Sequence, residues 1–113
     1  MEKKNLDWGN IGFSYVTTDY RYVSNYKDGK WDEGTLTEDP NVVINECAGI
    51  LQYCQECFEG LKAYTTEDGS IVTFRPDLNA ERMMDSCARL EMPQFPKDRW
   101  IDALDKVVKA NEA

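Results

Sequence analysis

Residues 57–75, "CFEGLKAYTTEDGSIVTFR", contain the clearest short-range folding signal in the chain. Two segments rich in aromatic and β-branched residues flank "EDG", and an Asp-Gly pair between such segments predicts a β-hairpin. On a strand over residues 57–64, Phe58, Gly60 and Lys62 would share one face. Glycine inside a strand weakens it and often marks the close approach of a ligand or of another backbone. We therefore expect a hairpin with a candidate ligand face around Phe58 and Gly60.

An earlier hairpin is predicted from the same kind of signal. Residues 13–26, "FSYVTTDYRYVSNY", are dense in aromatic and β-branched residues and predict a strand. The "KDGK" at 27–30 then turns the chain through another Asp-Gly pair, and Trp31 begins a short returning segment. A short strand is expected at 41–45, whereas residues 47–56 show neither helical nor strand periodicity.

The pattern changes to helical spacing after residue 75. Pro76 and Asp77 are typical of a helix start, and Pro96 predicts the start of a second helix. Hairpins followed by two helices predict an α+β fold, in which antiparallel β-hairpins form a sheet covered by the two C-terminal helices. At 113 residues, the chain is one domain or part of one, and is long enough to bury a core. The helical prediction rests on the spacing of apolar residues. In the first helix these are Leu78, Met83 or Met84, Cys87 and Leu90, and in the second they are Trp100, Ile101, Leu104, Val107 and Val108.

The composition narrows the class of function. The formal net charge is −8, from 21 acidic against 13 basic residues, and the sequence contains no histidine. A nucleic-acid backbone would be repelled by that charge, and the commonest general base and metal ligand is missing. No apolar run approaches membrane length, and the first residues do not form a signal peptide. We therefore expect a cytoplasmic protein without a nucleic-acid or membrane partner.

Cys54 and Cys57 form a Cys-x-x-Cys motif, which could bind a metal ion, act as a redox pair or consist of ordinary packed thiols. A structural zinc ion needs four ligands, but there is no histidine, and Cys47 and Cys87 lie at no matching spacing. A redox pair normally sits at a helix start, where amide dipoles lower a thiol pKa, and this pair leads into a predicted strand. The residues favour packed, reduced thiols and no metal site.

Two cations have both a functional and an ordinary interpretation. A Schiff-base lysine needs its pKa lowered by burial or by other cations, whereas Lys62, near the end of a hairpin, is expected to reach water. Arg82 has Asp85 three residues on, so a solvated ion pair within the helix is favoured from spacing alone. The alternative for Arg82 is recognition of an anion, for which a planar guanidinium is well shaped. The aromatic side chains of Tyr53 and Phe58 are compatible with a place in the hydrophobic core as well as in a ligand pocket.

A resemblance carries the interpretation further. The pattern Tyr-x4-Phe-Glu-Gly-x-Lys-Ala-Tyr at 53–64, Phe-Arg-Pro at 74–76 and Asn-x-x-Arg-Met at 79–83 closely resembles the branched-chain amino-acid aminotransferases. These are pyridoxal 5'-phosphate enzymes of fold type IV. Residues 12–36, "GFSYVTTDYRYVSNYKDGKWDEGTL", also look like the opening hairpin of that family. The resemblance implies transfer of an amino group between leucine, isoleucine or valine and 2-oxoglutarate, in a homodimer.

The resemblance also implies roles for four residues. Arg82 matches the arginine that binds the cofactor phosphate, which reverses the preference for an ion pair. Phe58 matches the phenylalanine that packs against a branched substrate side chain, and Gly60 a glycine whose backbone lies beside the substrate. Tyr53 matches a tyrosine that helps to close the apolar pocket, typically that of the partner subunit. No residue of this chain is expected to be catalytic.

Residues 1–113 would then be the N-terminal small domain of such an enzyme, itself incomplete. The family's Schiff-base lysine lies in the large second domain, and Lys62 does not correspond to it. The chain by itself is therefore expected to be inactive. Two alternatives stay open: a free-standing, non-catalytic binding module for small molecules, or another fold type IV enzyme, such as a D-amino-acid transaminase or aminodeoxychorismate lyase.

Overall fold

The computed structural model describes residues 3–113, which group into two compact units. Unit 1 contains residues 3–41 together with residues 105–113, and unit 2 contains residues 42–104. No helix in the described part of the chain is both long and apolar enough to cross a bilayer.

Unit 1 contains two antiparallel strand pairs. Strand β1 (Arg21–Val23) pairs with β4 (Thr35–Thr37), with Tyr22 opposite Leu36, and β2 (Tyr26–Lys27) pairs with β3 (Lys30–Trp31). The turn between β2 and β3 has positive φ at both central residues, 52° at Asp28 and 79° at Gly29. That conformation matches the right-handed twist of the flanking strands. The predicted Asp-Gly hairpin at 27–30 is therefore confirmed.

The single long strand predicted over 13–26 is wrong. Within that range, the described structure has only β1 and the first residue of β2, and β1 pairs with β4 instead of lying in the Asp-Gly hairpin. The break has a local cause in Asp32. Its carboxylate accepts hydrogen bonds from Ser24 Oγ at 2.9 Å, from the Asn25 backbone N–H at 3.1 Å and from the Gly34 N–H at 3.0 Å. These bonds turn the chain between β1 and β2.

Asn111 ties the last residues of unit 1 to the chain just before β1. Its Oδ1 accepts hydrogen bonds from the backbone N–H groups of Asp19 and Tyr20, both at 3.0 Å, and its Nδ2 donates to the Tyr20 carbonyl at 2.9 Å. One side-chain amide therefore satisfies three backbone groups that are 91 or 92 residues away in sequence.

Unit 2 contains a short helix, a strand pair and a long helix, and α3 passes from unit 2 into unit 1. Helix α1 spans Gly49–Tyr53, β5 (Ala63–Thr65) pairs with β6 (Ile71–Thr73), and α2 spans Pro76–Arg89. Helix α3 (Lys97–Ala110) contributes its residues as far as Leu104 to unit 2 and the remainder to unit 1.

The hairpin that "EDG" predicts is confirmed, but its turn differs from that of unit 1. The connection between β5 and β6 is closed by Gly69 N–H donating to the Thr66 carbonyl at 3.0 Å and by Thr66 N–H donating to the Ser70 carbonyl at 2.8 Å. Gly69 has a φ of 84°, whereas Asp68 is not among the residues with positive φ. A longer loop of this kind needs one left-handed residue, and glycine takes that position at least steric cost.

The predicted start of α2 is confirmed at Pro76. Proline at the first helical position has its φ already set, and its missing N–H has no partner to lose there. Arg75, just before it, adopts a left-handed conformation with a φ of 45°. Its guanidinium donates to both carboxylate oxygens of Asp77, from Nε at 2.9 Å and from Nη2 at 2.7 Å. This pair holds the turn that leads into the helix.

Other strands are shorter than the sequence predicted. Of the strand expected over 57–64, only residues from Ala63 onward pair, and residues 41–45 form no strand. The residues before Ala63 therefore cannot be assigned to faces by strand alternation. The α+β class and the antiparallel pairing are confirmed, but the strands form three separate two-stranded ladders instead of one sheet.

The expectation of a substantial core is also wrong for this chain. Among residues 3–113, the buried hydrophobic residues are Ala80 and Cys87, both on α2, and no large side chain is fully buried. Many aromatic and aliphatic side chains are instead exposed. The most exposed of them are Phe13, Val43, Tyr53, Phe58 and Phe74.

Candidate functional site

The candidate site centres on an ion pair between Arg82 on α2 and Glu59 in the irregular segment before β5. Arg82 Nε donates to Glu59 Oε1, and Arg82 Nη2 donates to Glu59 Oε2 at 2.9 Å. The Glu59 side chain is only 5% exposed, whereas the Arg82 side chain is 65% exposed. A nearly buried carboxylate thus holds a guanidinium that is open to solvent, in a planar two-bond geometry.

Asn79 joins this pair to the backbone at Gly60. Its Nδ2 donates to Glu59 Oε2 at 2.7 Å and to the Gly60 carbonyl at 3.1 Å. Asn79 lies three residues before Arg82 on α2, a spacing that places both side chains on one face of the helix. The cluster therefore links one helix face to two consecutive residues of the Phe-Glu-Gly segment.

The electrostatics of the pair favour its charged form. Hydrogen bonding to Arg82 is the largest influence and lowers the pKa of Glu59, against an opposing effect of burial, and the bond from Asn79 lowers it further. Glu59 in turn raises the pKa of Arg82. Both groups are charged at neutral pH, so the cluster presents a fixed cation at its solvent side.

The ion pair that spacing suggested between Arg82 and Asp85 is wrong. The guanidinium of Arg82 turns to Glu59, 23 residues earlier in the chain, instead of to the next turn of its own helix. Because Nε and Nη2 are occupied, Nη1 is left without a partner among residues 3–113. An exposed guanidinium with a free edge is able to bind an oxyanion such as a phosphate monoester.

Phe58 and Gly60 form the apolar side of the same segment. The Phe58 ring lies against Gly60 so closely that a Cβ at residue 60 would meet ring atoms at 3.2 and 3.3 Å. Because Gly60 has no positive φ, it is the space beside the ring and not the backbone conformation that favours glycine here. The ring itself is 88% exposed and is available to an apolar ligand. The structure thus brings Phe58, Gly60 and Arg82 into one connected cluster.

Tyr53 stands apart from that cluster. It is the last residue of α1, after which Cys54 takes a left-handed conformation with a φ of 51°, and Tyr53 is 86% exposed. No hydrogen bond or ring contact joins the Tyr53 side chain to another described residue. Tyr53 therefore offers an open aromatic surface in unit 2.

The cysteines behave differently from one another. Cys57 Sγ lies 3.6 Å from Cys87 Sγ and 3.3 Å from Met83 Sδ, both on α2, so the prediction that this thiol is packed is confirmed. Burial raises the pKa of the Cys87 thiol to about 11, with a further contribution from its contact with Cys57. Cys54 is exposed, so packing is the wrong prediction for that residue. The described residues contain no group of three or more His, Cys, Asp or Glu side chains placed to hold a metal ion.

The structure supports the ordinary interpretation of Lys62. Its side chain is exposed, next to the start of β5, as expected for a lysine that reaches water. Exposure leaves an amine solvated, and a lysine nucleophile needs the opposite environment.

Sequence reasoning missed Glu59 and Asn79 as members of the site. The sequence analysis assigned no role to Glu59 within the Phe-Glu-Gly segment or to Asn79 within the Asn-x-x-Arg segment. The i,i+3 spacing of Asn79 and Arg82 could have predicted that both share a helix face. Nothing local indicated Glu59, because its contacts cross about twenty residues of chain.

The fold and the cluster define an α+β segment with an exposed cation, held by a nearly buried carboxylate, beside an exposed aromatic ring. No protein-family model matches the chain. It is 55% identical over 109 residues to a branched-chain-amino-acid aminotransferase of Haemophilus influenzae, which covers 96% of this chain and 32% of the relative. A branched-chain-amino-acid aminotransferase of Helicobacter pylori is 44% identical over the same shares, and a methionine aminotransferase of Arabidopsis thaliana is 41% identical, over 96% of this chain and 31% of the relative.

The chain thus spans about a third of the length of the curated relatives it matches. Over that third, its similarity is to aminotransferases. More particularly, it is a homologue of the branched-chain-amino-acid aminotransferases and fits an N-terminal fragment of such an enzyme.

Proposed function

We propose that this chain is the N-terminal, small-domain part of a branched-chain amino-acid aminotransferase that depends on pyridoxal 5'-phosphate. The enzyme would transfer the amino group of leucine, isoleucine or valine to 2-oxoglutarate. The observation that carries the proposal is Arg82, a cation fixed by a nearly buried carboxylate and open to solvent, in a chain homologous to aminotransferases.

Arg82 suits the phosphate group of the cofactor. A phosphate monoester carries close to two negative charges at neutral pH, and a guanidinium that is already oriented binds it at lower entropic cost than a flexible cation does. The unpartnered Nη1 edge supplies the donors. When bound, pyridoxal phosphate supplies the electron sink for amino transfer, and the protein supplies binding and orientation. In this chain, Arg82 binds, and no residue is assigned to proton transfer.

Phe58, Gly60 and Tyr53 are proposed to contact the substrate side chain. The exposed Phe58 ring offers an apolar surface for a branched aliphatic group, and Gly60 leaves room beside that ring. Selection among aliphatic side chains would be modest, because one methylene in an apolar pocket is worth about 1–3 kcal/mol. The exposed ring of Tyr53 is proposed to close the pocket of a partner subunit in a homodimer.

Residues 1–113 would form most of a fold type IV small domain, and a large domain elsewhere in the enzyme would bind the cofactor covalently. The exposed apolar side chains of unit 2, such as Val43 and Phe74, would be covered in that larger assembly. We propose a cytoplasmic enzyme that acts on small amino acids and 2-oxo acids and has no nucleic-acid or membrane partner.

The test compares two arginines of α2 in the enzyme that contains this segment. Arg82→Ala should weaken pyridoxal-phosphate binding by about one to two decades, the usual size for a charge-assisted contact. Arg89→Ala makes the same charge change near the end of the same helix and should leave cofactor binding within about twofold. Cofactor titration and the rate of glutamate formation from leucine and 2-oxoglutarate are the measurements.

The same assay applied to residues 1–113 alone should show no amino transfer. An enzyme that binds pyridoxal phosphate equally well with Arg82→Ala and Arg89→Ala would contradict the role of Arg82. Absence of amino transfer in the unmodified enzyme, together with retained binding of amino acids, would instead favour a non-catalytic binding module.

A further inference from the structure

The Arg82–Glu59 pair differs from four other ion pairs among residues 3–113 in the exposure of its charged groups. A surface pair leaves both partners in water and adds little to stability. In this pair, the carboxylate is 5% exposed and its cation is 65% exposed. The carboxylate side chains are 34–58% exposed in the pairs Lys4–Asp19, Arg75–Asp77, Lys97–Glu81 and Lys109–Asp105. Burying the acid while exposing the base orients the base outward.

We propose that Glu59 is a positioning residue for Arg82, and that Asn79 extends this positioning to the backbone at Gly60. The inference rests on the proposed function, since it assigns how the phosphate contact is kept in place. Glu59 would touch neither cofactor nor substrate, and it would act through the groups that do.

The geometry explains how one carboxylate can orient the guanidinium. Two parallel bonds, to Oε1 and Oε2, fix the plane of the guanidinium and not only its distance. An arginine side chain has several rotatable bonds, and their freedom would otherwise be lost when the phosphate binds. With Nε and Nη2 held, the direction of the Nη1 edge is set before the anion arrives.

Asn79 links the charged part of the site, at Glu59 and Arg82, to the apolar part, at Gly60 and Phe58. It donates to the same Oε2 atom of Glu59 that Arg82 uses, and also to the Gly60 carbonyl. A change at Glu59 therefore disturbs the anion-binding cation and the backbone beside Phe58 together. Removing Arg82 alone leaves the Asn79 bonds to Glu59 and Gly60 available. The two variants are thus expected to differ in their effect on substrate binding.

The test uses the enzyme that contains this segment, with Glu59→Gln as the principal variant. The amide keeps the shape of the side chain but removes its charge and one acceptor. Glu81→Gln is the matched control, because Glu81 is also a glutamate paired with a cation of its own unit, Lys97. The measurements are the dissociation constants of pyridoxal phosphate and of pyridoxal, which lacks the phosphate, and the KM for leucine at saturating cofactor.

If Glu59 positions Arg82, Glu59→Gln weakens pyridoxal-phosphate binding by about fivefold to tenfold and leaves pyridoxal binding unchanged. The double variant Glu59→Gln with Arg82→Ala binds no more weakly than Arg82→Ala alone, because the effect passes through Arg82. Glu59→Gln and Asn79→Ala also raise the KM for leucine, whereas Arg82→Ala does not. Glu81→Gln behaves as the unmodified enzyme.

Equal pyridoxal-phosphate binding by Glu59→Gln and Glu81→Gln would overturn the inference, as would equal weakening of pyridoxal and its phosphate. Should Glu59→Gln fail to fold, Glu59→Asp keeps the charge but shortens the reach, and it should show the same selective loss to a smaller extent. An unmodified enzyme that does not bind pyridoxal phosphate would refute the proposed function itself, a result separate from any difference between variants.

Discussion

Replacing Gly60 by alanine should change substrate selection without weakening the fold. The new Cβ would lie 3.2 and 3.3 Å from two Phe58 ring atoms, closer than the 3.5–4.0 Å or so of a favourable carbon–carbon contact. The ring is 88% exposed, so it can move by the few tenths of an ångström needed. Two strained atom pairs cost only a few tenths of a kcal/mol, at roughly 0.1–0.2 kcal/mol for each lost contact.

The lower conformational entropy of the unfolded alanine variant has the opposite effect and stabilises the fold. Because the φ of Gly60 is not in the left-handed region, alanine fits the backbone there. Replacing glycine at such a position stabilises by about 0.4–1 kcal/mol, since the unfolded chain has fewer states to lose. The expected net effect lies between no change and about 0.8 kcal/mol of added stability. In the proposed aminotransferase, the displaced ring should nevertheless lower kcat/KM for leucine as substrate by about threefold to tenfold, and kcat/KM for alanine as substrate much less.

Gly69→Ala is the control for this prediction. Gly69 has a φ of 84°, and nothing lies within 4 Å of the position that an alanine Cβ would take, so alanine there suffers only from its backbone conformation. The cost should be about 1–2 kcal/mol, with the preference for leucine over alanine unchanged. Urea midpoints and kcat/KM for the two substrates measure both effects. A Gly60→Ala variant that is destabilised as much as Gly69→Ala, or that keeps the preference for leucine over alanine, would contradict this prediction.

Two further predictions follow from the pKa values. Cys87 should react with iodoacetamide at pH 8 far more slowly than the exposed Cys54, because its thiol is buried and its pKa is raised to about 11; equal rates by mass spectrometry would contradict this. Arg75 lowers the pKa of Asp77 from its ordinary value of 3.8 to about 2, so the stabilising effect of this pair is present above about pH 4 and is lost as the pH falls toward 2. The difference in melting temperature between the unmodified protein and Asp77→Asn should therefore shrink over that interval, and a difference that stays constant would show that the pair does not form.

Local chemistry made several features predictable from the sequence. Both Asp-Gly turns and the start of α2 at Pro76 depend on the φ preferences of one or two residues, which the sequence states directly. The exposure of Lys62 followed from its place near a hairpin end. These features need no information from distant residues.

Longer-range features were decided by contacts between distant parts of the chain. Sequence spacing predicted that Arg82 would pair with Asp85. In the structure, Arg82 pairs instead with Glu59, which lies 23 residues earlier in the chain. The Glu59 carboxylate is nearly buried, accepts two hydrogen bonds from the guanidinium, and accepts a further one from Asn79. The strand predicted over 57–64 is likewise replaced, before Ala63, by an irregular segment whose polar groups form hydrogen bonds with residues of α2.

The sequence by itself therefore determined the class of fold, the turns, the helix starts and the resemblance to aminotransferases, since each depends on residues close together in the chain. Only the tertiary structure decided which carboxylate holds Arg82, which thiol is packed and which is exposed, and how little of the chain is buried. Those outcomes depend on which surfaces meet across long stretches of sequence, and no local pattern of residue types records that.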